Sequence, residues 1–210
     1  MPWSNYWHIP TVMHFANALK PMRVLDVGVG LGTYGFLMRQ LTDIYYERVN
    51  KKDWQGVING VEIFEGYRNP TWEYAYDKVF LGDIRNLIGD VGNYDLIICN
   101  DMLEHFELSE AKLLITGFLD HSDVVIATTP NRKMPQGNWG GNEAETHKCL
   151  LTASDFTELV AAKNCGVTNF YICSRSSSCI ATIKKAATHA PVARPELIPV
   201  LVDRIKGPIS

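Results

Sequence analysis

The sequence predicts an α/β fold in which a mostly parallel sheet carries helices on both faces. Apolar segments of strand length alternate with segments of helical periodicity from about residue 22 to residue 164, a pattern typical of parallel α/β sheets. The first strand runs directly into a glycine-rich turn and a helix. Near the end, residues 169–174 and 178–184 flank a short polar turn, which predicts a closing β-hairpin.

A short helix is predicted ahead of the first strand, since residues 9–19 carry apolar side chains at helical spacing. The aromatic residues Trp3, Tyr6 and Trp7 precede it. These aromatics either pack against the helix and sheet or fold over a bound ligand, which would make residues 1–20 a lid. The sequence leaves both interpretations open.

Residues 22–35, MRVLDVGVGLGTYG, contain the most informative turn of the chain. An apolar strand reaches Asp26, and then Gly28, Gly30 and Gly32 precede a helix. Glycine lets the backbone approach a ligand closely, and a helix start presents unpaired N–H groups to it. The third glycine comes one position earlier than in the dinucleotide fingerprint. A carboxylate before the first glycine would repel a pyrophosphate and suits a ligand with a cationic end.

Acidic residues also stand at the ends of the second and third predicted strands. Residues 57–63 form an apolar strand that contains Glu62, and an acid here can accept hydrogen bonds from both ribose hydroxyls. On its own, Glu62 could equally be an ordinary strand-end carboxylate. Residues 42–56 explain its distance from the glycine turn if they are an insertion. Asp83 and Ile84 follow the third strand, where Asp83 also suits a helix N-cap.

The fourth and fifth strands supply the rest of the candidate site. Residues 94–99 form a short apolar strand that runs into residues 100–105, NDMLEH. The fifth strand lies at 124–130, and the connection over 129–151 follows it at the edge of the sheet where ligands bind. This long, polar, glycine-rich connection is predicted to be a substrate loop, with a surface loop as the alternative.

Together these motifs resemble the class I S-adenosylmethionine-dependent methyltransferases, in their order and approximate spacing over roughly residues 9–184. The pattern VLDVGVGLGTYG, VEIFE, DMLEHF, TPN, QG and GNEAETH is similar to a bacterial branch of that family with largely unassigned substrates. The resemblance implies a Rossmann-like, seven-stranded, mostly parallel sheet with an antiparallel last strand. It also implies a methyltransferase domain over residues 1–185, followed by a proline-rich C-terminal extension over residues 186–210.

The implied cofactor is S-adenosylmethionine, with S-adenosylhomocysteine as its product. The resemblance assigns the methionine part to the glycine turn with its acid, the ribose to Glu62, and the adenine to the third strand's end. Residues 100–105 would line the methyl-transfer side. The implied cofactor-binding residues are Asp26, Gly28, Val29, Gly30, Gly32, Glu62, Ile63, Asp83, Ile84, Asn100, Asp101 and Met102.

His105 and His147 are the candidate catalytic bases, because imidazole titrates near neutral pH. Each could instead be structural, His105 by packing under the cofactor and His147 by anchoring its loop. With Asp101 and Glu104 they resemble the E-x-x-E-H…H metal set of ubiquinone-pathway and small-RNA O-methyltransferases, although Asp replaces the first Glu. A divalent ion there would lower the pKa of adjacent acceptor hydroxyls. The metal remains the less favoured alternative.

The composition of the chain limits the compartment and the kinds of partner that we expect. The chain has 210 residues, with 20 Lys and Arg against 23 Asp and Glu, so no basic footprint for nucleic acid is present. Five cysteines without a C-x-x-C pair favour a reducing compartment. The N-terminus lacks a signal-peptide pattern, and no apolar run approaches the length of about 20 residues that crosses a bilayer. We therefore expect a cytoplasmic protein without membrane or nucleic-acid partners.

The leading hypothesis is methyl transfer to an oxygen or nitrogen nucleophile of a small-molecule or sugar-like acceptor. The alternative is a non-catalytic S-adenosylmethionine-binding subunit of a larger assembly, suggested by the insertion and the extension. A nicotinamide-dependent oxidoreductase is disfavoured by the glycine spacing and the closing hairpin. Apolar residues of the extension, such as Ile198 and Val200, either dock on the domain or contact a second subunit, so a homodimer stays open.

Overall fold

The computed structural model describes residues 6–162, 166–173 and 178–184. Its sheet has the strand order β3-β2-β1-β4-β5-β7-β6. The strands are β1 (Arg23–Val27), β2 (Val57–Glu62), β3 (Lys78–Leu81), β4 (Tyr94–Asn100), β5 (Ser122–Pro130), β6 (Gly166–Cys173) and β7 (Ser178–Lys184). The helices are α1 (Ile9–Leu19), α2 (Thr33–Thr42), α3 (Pro70–Ala75), α4 (Ile84–Leu87), α5 (Leu108–His121) and α6 (Ala153–Ala162).

The first five strands are parallel to one another, and β1 lies between β2 and β4. This arrangement with its helices confirms the predicted Rossmann-like α/β architecture. In the described backbone, β7 runs antiparallel to both β5 and β6. The turn around Arg175, the residue Trp3 and the extension over residues 186–210 lie outside the described residues, and the predictions made for them stay predictions.

Two apolar cores lie on the two faces of the sheet. One joins α1, α2 and α3 to the sheet through residues such as Phe15, Met38 and Trp72. The other joins α4, α5 and α6 to the opposite face, with Phe118 and Phe156 among its buried side chains. The longest described helix, α5, has 14 residues. No helix in the described ranges is both long enough and apolar enough to span a membrane.

Gly60 in β2 allows the glycine turn to sit directly against the sheet. A Cβ atom at this position would lie 2.3 Å from Val29 Cγ2 and 3.1 Å from the Tyr76 ring. Any side chain here would therefore push the turn away from the strand, so Gly60 is needed for the close packing of the glycine turn on β2.

The segment over 42–56 forms two short 3₁₀ turns between α2 and β2. It therefore lies at the amino end of the strands, as expected for a segment remote from the ligand edge. Its packing rests on the fully buried Arg39, whose Nη1 is 2.7 Å from Asp43 Oδ2. The same guanidinium stacks on Trp54, 4.0 Å from the ring centroid. The role of this segment in a larger assembly, which its insertion suggested, stays a prediction.

Candidate active site

A cavity that is open to solvent lies at the carboxyl edge of the parallel strands. Most of the predicted site residues line it, and the loop after β5 contributes a further part of the lining. The predicted residues in the lining are Gly28, Val29, Gly30, Glu62, Ile63, Asp83, Ile84, Asn100, Asp101, Met102 and His105. The structure thus brings together side chains from the ends of four strands.

The glycine turn after β1 is held against the end of β2. The backbone N–H groups of Gly28 and Val29 donate to the Val61 carbonyl at 2.9 and 3.2 Å. Gly28 has a φ of +85°, and a Cβ there would lie 3.0 Å from Met102 Cγ. Glycine is thus required both by the backbone conformation and by the close approach of the turn after β4.

The Glu62 carboxylate of the cavity is held by three backbone N–H groups. Gly30 N donates to its Oε2 at 2.8 Å, and the N–H groups of Ile63 and Phe64 donate to Oε1 at 2.9 Å each. The residue is only 5% exposed. Burial raises the pKa of Glu62, while the three backbone donors oppose that rise. The carboxylate is therefore fixed in position while lining the cavity.

Asp26 and Gly32 are not among the residues that line the cavity, and their predicted contacts with the methionine part stay predictions. The Asp26 carboxylate is buried behind the glycine turn and accepts a hydrogen bond from the Tyr76 hydroxyl at 2.5 Å. Gly32 is the N-cap of α2, where a Cβ would meet Thr71 at 3.0 Å. Both residues thus support the turn from behind.

Asp83 caps a helix, which is one of the two roles predicted for it from the sequence, the other being adenine binding. Its side chain accepts a hydrogen bond from Arg85 N at 2.9 Å at the start of α4. The Arg85 guanidinium also binds this carboxylate and Glu110. These contacts hold the pKa of Asp83 below its usual value. Asp83 and Ile84 both line the cavity, so capping leaves the adenine prediction standing.

Asp101 lies at the end of β4 with a φ of +48°. Its backbone N–H donates to the Thr128 carbonyl at 3.0 Å, and its Oδ1 accepts from the Thr128 hydroxyl at 3.0 Å. His8, which precedes α1 and is fully buried, places Nε2 3.2 Å from Asp101 Oδ2. The N-terminal segment therefore reaches the site edge at His8, whereas Tyr6 and Trp7 are exposed and outside the lining.

The two predicted bases are adjacent, with ring centroids 4.9 Å apart. His105 Nδ1 is 3.3 Å from the Thr146 carbonyl, and His147 Nδ1 is 2.7 Å from the Met134 carbonyl. Since a carbonyl only accepts hydrogen bonds, each Nδ1 carries a hydrogen and each Nε2 keeps its lone pair when the ring is neutral. His105 lines the cavity and His147 does not.

Glu104 completes a group that could hold a cation. One ligand atom from each of Glu104, His105 and His147 can be chosen so that all three lie within 4.8 Å of one another. Glu104 Oε2 is buried without a hydrogen-bond partner among the described residues. Burial and the neighbouring Asp101 raise its pKa well above the usual range. The donors fit a divalent transition metal, although Asp101 of the predicted set is not in the group.

Burial also changes the titration of His105. It lowers the pKa of this imidazole, and the neighbouring His147 lowers it further, whereas Glu145 opposes the shift. His105 is therefore neutral at neutral pH, with an unprotonated ring nitrogen that can accept a proton.

The sequence did not single out the residues of the loop after β5 that line the cavity, chiefly Asn142, Glu145 and Lys148. Tyr67, which follows β2, also lines it and donates to Glu145 Oε1 at 2.8 Å. The loop had a signal, since its length and polarity marked it as a substrate loop. Tyr67 had none, because an aromatic residue after a strand is ordinary.

The solved structures that are similar in fold include methyltransferases. Magnesium protoporphyrin IX methyltransferase (ChlM) from Synechocystis PCC 6803, with bound SAM, has a TM-score of 0.60 and 17% identity over 84% of this chain and 77% of its own. The N-terminal domain of EvdMO1, with SAH and D-fucose, has a TM-score of 0.60 and 14% identity over 87% and 84%. The methyltransferase domain of the bacterial protein CtHen1 has a TM-score of 0.57 and 15% identity over 85% and 97%.

The chain has the class I methyltransferase fold. No protein-family model matches the sequence, and no curated protein matches it either. At these identities the likeness to solved structures concerns the fold alone. Within the class I methyltransferase fold, the cavity occupies the carboxyl edge of the sheet, where open α/β sheets bind their ligands.

Proposed function

We propose that the protein is a methyltransferase that uses S-adenosylmethionine and modifies an oxygen or nitrogen nucleophile of a small-molecule or sugar-like acceptor. The observation that carries the proposal is the Glu62 carboxylate, held by three backbone N–H groups beside the glycine turn. Its remaining lone pairs can accept hydrogen bonds from the two ribose hydroxyls of the cofactor. Bound SAM or SAH in structures of the same fold supports this assignment.

The charges of the cavity favour a cationic ligand over a pyrophosphate. Four carboxylates line it against two cationic side chains, Lys148 and Arg85, and the Arg85 guanidinium is already bound by Asp83 and Glu110. The sulfonium and ammonium groups of S-adenosylmethionine complement such a lining, and the two phosphates of a dinucleotide would be repelled. The lining carboxylates are Glu62, Asp83, Asp101 and Glu145.

His105 is the proposed catalytic base. In the transfer, a lone pair of the acceptor attacks the methyl carbon, the carbon–sulfur bond breaks, and its electron pair stays on sulfur. The acceptor's proton goes to Nε2 of His105, because Nδ1 is directed to the Thr146 carbonyl. His147 supports this ring from behind, since it is adjacent to His105 but outside the cavity lining.

Calorimetric titration with S-adenosylhomocysteine, S-adenosylmethionine and NAD tests the cofactor assignment. We expect micromolar binding of both sulfur nucleotides, no binding of NAD, and a loss of at least about tenfold in affinity for Glu62→Ala. Glu65→Ala is the matched control, because that neighbouring carboxylate is 71% exposed. A folded protein that binds NAD, or neither sulfur nucleotide, would exclude this function. Binding without turnover in an acceptor screen would favour the non-catalytic subunit.

Metal-assisted methyl transfer is the second candidate, and the group of Glu104, His105 and His147 favours it. A bound divalent ion would lower the pKa of an acceptor hydroxyl. These residues would hold the ion through one carboxylate oxygen and two imidazole nitrogens. Titration with Co²⁺, followed by its visible absorption, tests this without turnover. Binding should disappear in Glu104→Gln and His147→Ala and persist in His14→Ala, an exposed histidine.

A further inference from the structure

A second buried carboxylate lines the same cavity as Glu62. Glu145 comes from the loop after β5, and the residue is 6% exposed. Its Oε1 accepts a hydrogen bond from the Tyr67 hydroxyl at 2.8 Å, and its Oε2 is 3.3 Å from Gln136 Nε2. Two donors from separate segments therefore hold this carboxylate in one orientation.

Tyr67 connects the ribose side of the cavity to the loop. It ends the 3₁₀ turn Glu65–Tyr67 that follows β2, and Asn142 Nδ2 lies 3.4 Å from its hydroxyl. Burial raises the pKa of Tyr67 to about 12. The phenol therefore keeps its hydrogen at neutral pH and serves as a donor to the Glu145 carboxylate.

Glu145 acts electrostatically on both functional ends of the cavity. It raises the pKa of Glu62 on the proposed ribose side, and it opposes the lowering of the pKa of His105 on the proposed base side. Its contact with Tyr67, which follows β2 as part of the turn after Glu62, and the position of the next residue, Thr146, whose carbonyl is 3.3 Å from His105 Nδ1, place the carboxylate between the group that would hold the ribose and the group that would take the acceptor's proton. In a methyl transfer, that region holds the sulfonium.

A structural anchor alone does not account for this placement. The loop already closes on itself, since Gln136 Nε2 donates to the Glu145 carbonyl at 2.8 Å and His147 N donates to the Gln136 carbonyl at 3.0 Å. It is also tied to the domain by Lys148 N, which donates to the Glu104 carbonyl at 2.8 Å. A neutral side chain at 145 would hold the loop as well, whereas a buried anion carries a desolvation cost.

We propose that Glu145, oriented by Tyr67, recognises the positive charge of the sulfonium and so lets the protein bind S-adenosylmethionine in preference to its neutral thioether product. The inference rests on the proposed function and adds a charge-specific residue to it. When the methyl group leaves, the sulfur becomes neutral and loses its attraction to the carboxylate. Product release is favoured by the same change.

Calorimetry with three ligands of similar shape and different charge tests the inference. S-adenosylmethionine carries a sulfonium, sinefungin carries an amine that is protonated at neutral pH, and S-adenosylhomocysteine carries a neutral sulfur. Glu145→Gln keeps the side-chain shape and an oxygen that can accept from Tyr67. We expect Glu145→Gln to weaken the binding of the two cationic ligands by about tenfold and the binding of S-adenosylhomocysteine by less than about twofold.

Two further variants complete the design. Tyr67→Phe should shift the affinity ratio of S-adenosylmethionine to S-adenosylhomocysteine in the same direction by a smaller factor. Glu143→Gln, an exposed carboxylate of the same loop, should leave that ratio unchanged. An equal loss for all three ligands in Glu145→Gln would reduce Glu145 to a loop anchor, and no loss for any would remove it from the site. Failure of the wild-type protein to bind S-adenosylhomocysteine would instead overturn the proposed function itself.

Discussion

The Tyr76 hydroxyl donates a hydrogen bond to Asp26 Oδ2 at 2.5 Å and joins the end of α3 to β1 behind the glycine turn. The oxygen of the Tyr76 hydroxyl also accepts a hydrogen bond from Gly35 N in α2 at 3.0 Å. Three elements that support the cavity therefore meet at one phenol. Because both side chains are buried, desolvation raises the pKa of Asp26 to about 7 and that of Tyr76 well above its usual value.

The raised pKa of Asp26 predicts a loss of stability as the pH rises. The carboxyl holds its proton more tightly in the folded state than in the unfolded chain, where its pKa is about 3.9. Its contribution is therefore complete below about pH 4 and is lost as the pH rises through about 7. Between pH 5 and 8 the ligand-free protein should lose about 2 kcal/mol of unfolding free energy from this group.

Asp26→Asn should remove that pH dependence, since an amide oxygen still accepts from Tyr76 and does not titrate. Urea unfolding of both proteins at pH 5 and pH 8 measures the difference. Asp90→Asn, at an exposed carboxylate, should keep the wild-type slope. Parallel pH profiles for the wild-type protein and Asp26→Asn would show that Asp26 is ionised in the folded state throughout this range.

Two helical glycines should respond oppositely to alanine. At Gly35 a Cβ would lie 2.1 Å from the Tyr76 ring, whereas at Gly117 in α5 the nearest atom is 3.8 Å away. Gly35→Ala should therefore cost at least about 2 kcal/mol of stability through overpacking. Gly117→Ala should gain up to about 1 kcal/mol, because alanine favours a helix over glycine. Denaturant unfolding compares them, and equal effects would contradict the close approach of α2 and Tyr76.

Local sequence patterns were sufficient for the five parallel strands, for the helices before and after β1, and for the frame of the site. The glycine turn, Glu62 and Asp83 each stand at the carboxyl end of a strand, and parallel strands bring these ends to one edge. The periodicity of apolar residues located those strands without any knowledge of tertiary contacts. Asp83 as an N-cap is likewise a local property, since its partner is two residues away.

The remaining features depend on contacts between distant residues, which no spacing rule reports. Tyr76 lies 50 positions from Asp26 and withdraws that carboxylate from the cavity. Tyr67 lies 78 positions from Glu145 and orients the second carboxylate. Each of these residues can be read from the sequence, but which residue it pairs with is determined only when α3 and the loop after β5 pack against the rest of the domain.

Arg39 should be among the most sensitive positions for stability. Its guanidinium is fully buried and donates to Asp43, to Asp77 and to the carbonyls of Gly56 and Ala75. Arg39→Met would leave the buried Asp43 carboxylate without this partner, at a cost of about 3–5 kcal/mol.

Arg39→Lys should recover little of that loss, because a single ammonium cannot reproduce the planar set of donors. Arg68→Met is the control: its exposed pair with Glu65 should contribute less than about 1 kcal/mol. Chemical unfolding of the three variants provides the comparison. A loss below about 1 kcal/mol for Arg39→Met would mean that hydrophobic packing compensates for the buried network.

The titration of His105 separates the effects of its neighbours His147 and Glu145. Burial lowers the pKa of this imidazole, His147 lowers it further, and Glu145 raises it. In an NMR titration, the ring should therefore change protonation below the usual value of about 6.5. His147→Asn should raise the pKa of His105 and Glu145→Gln should lower it, whereas the remote His14→Asn should leave it in place. A rise in the pKa of His105 in the Glu145→Gln variant would contradict the position of Glu145 beside the base. The lowered pKa of His105 also predicts how the rate of methyl transfer depends on pH. Because His105 must be neutral to accept a proton, the rate should fall as the pH drops through this pKa.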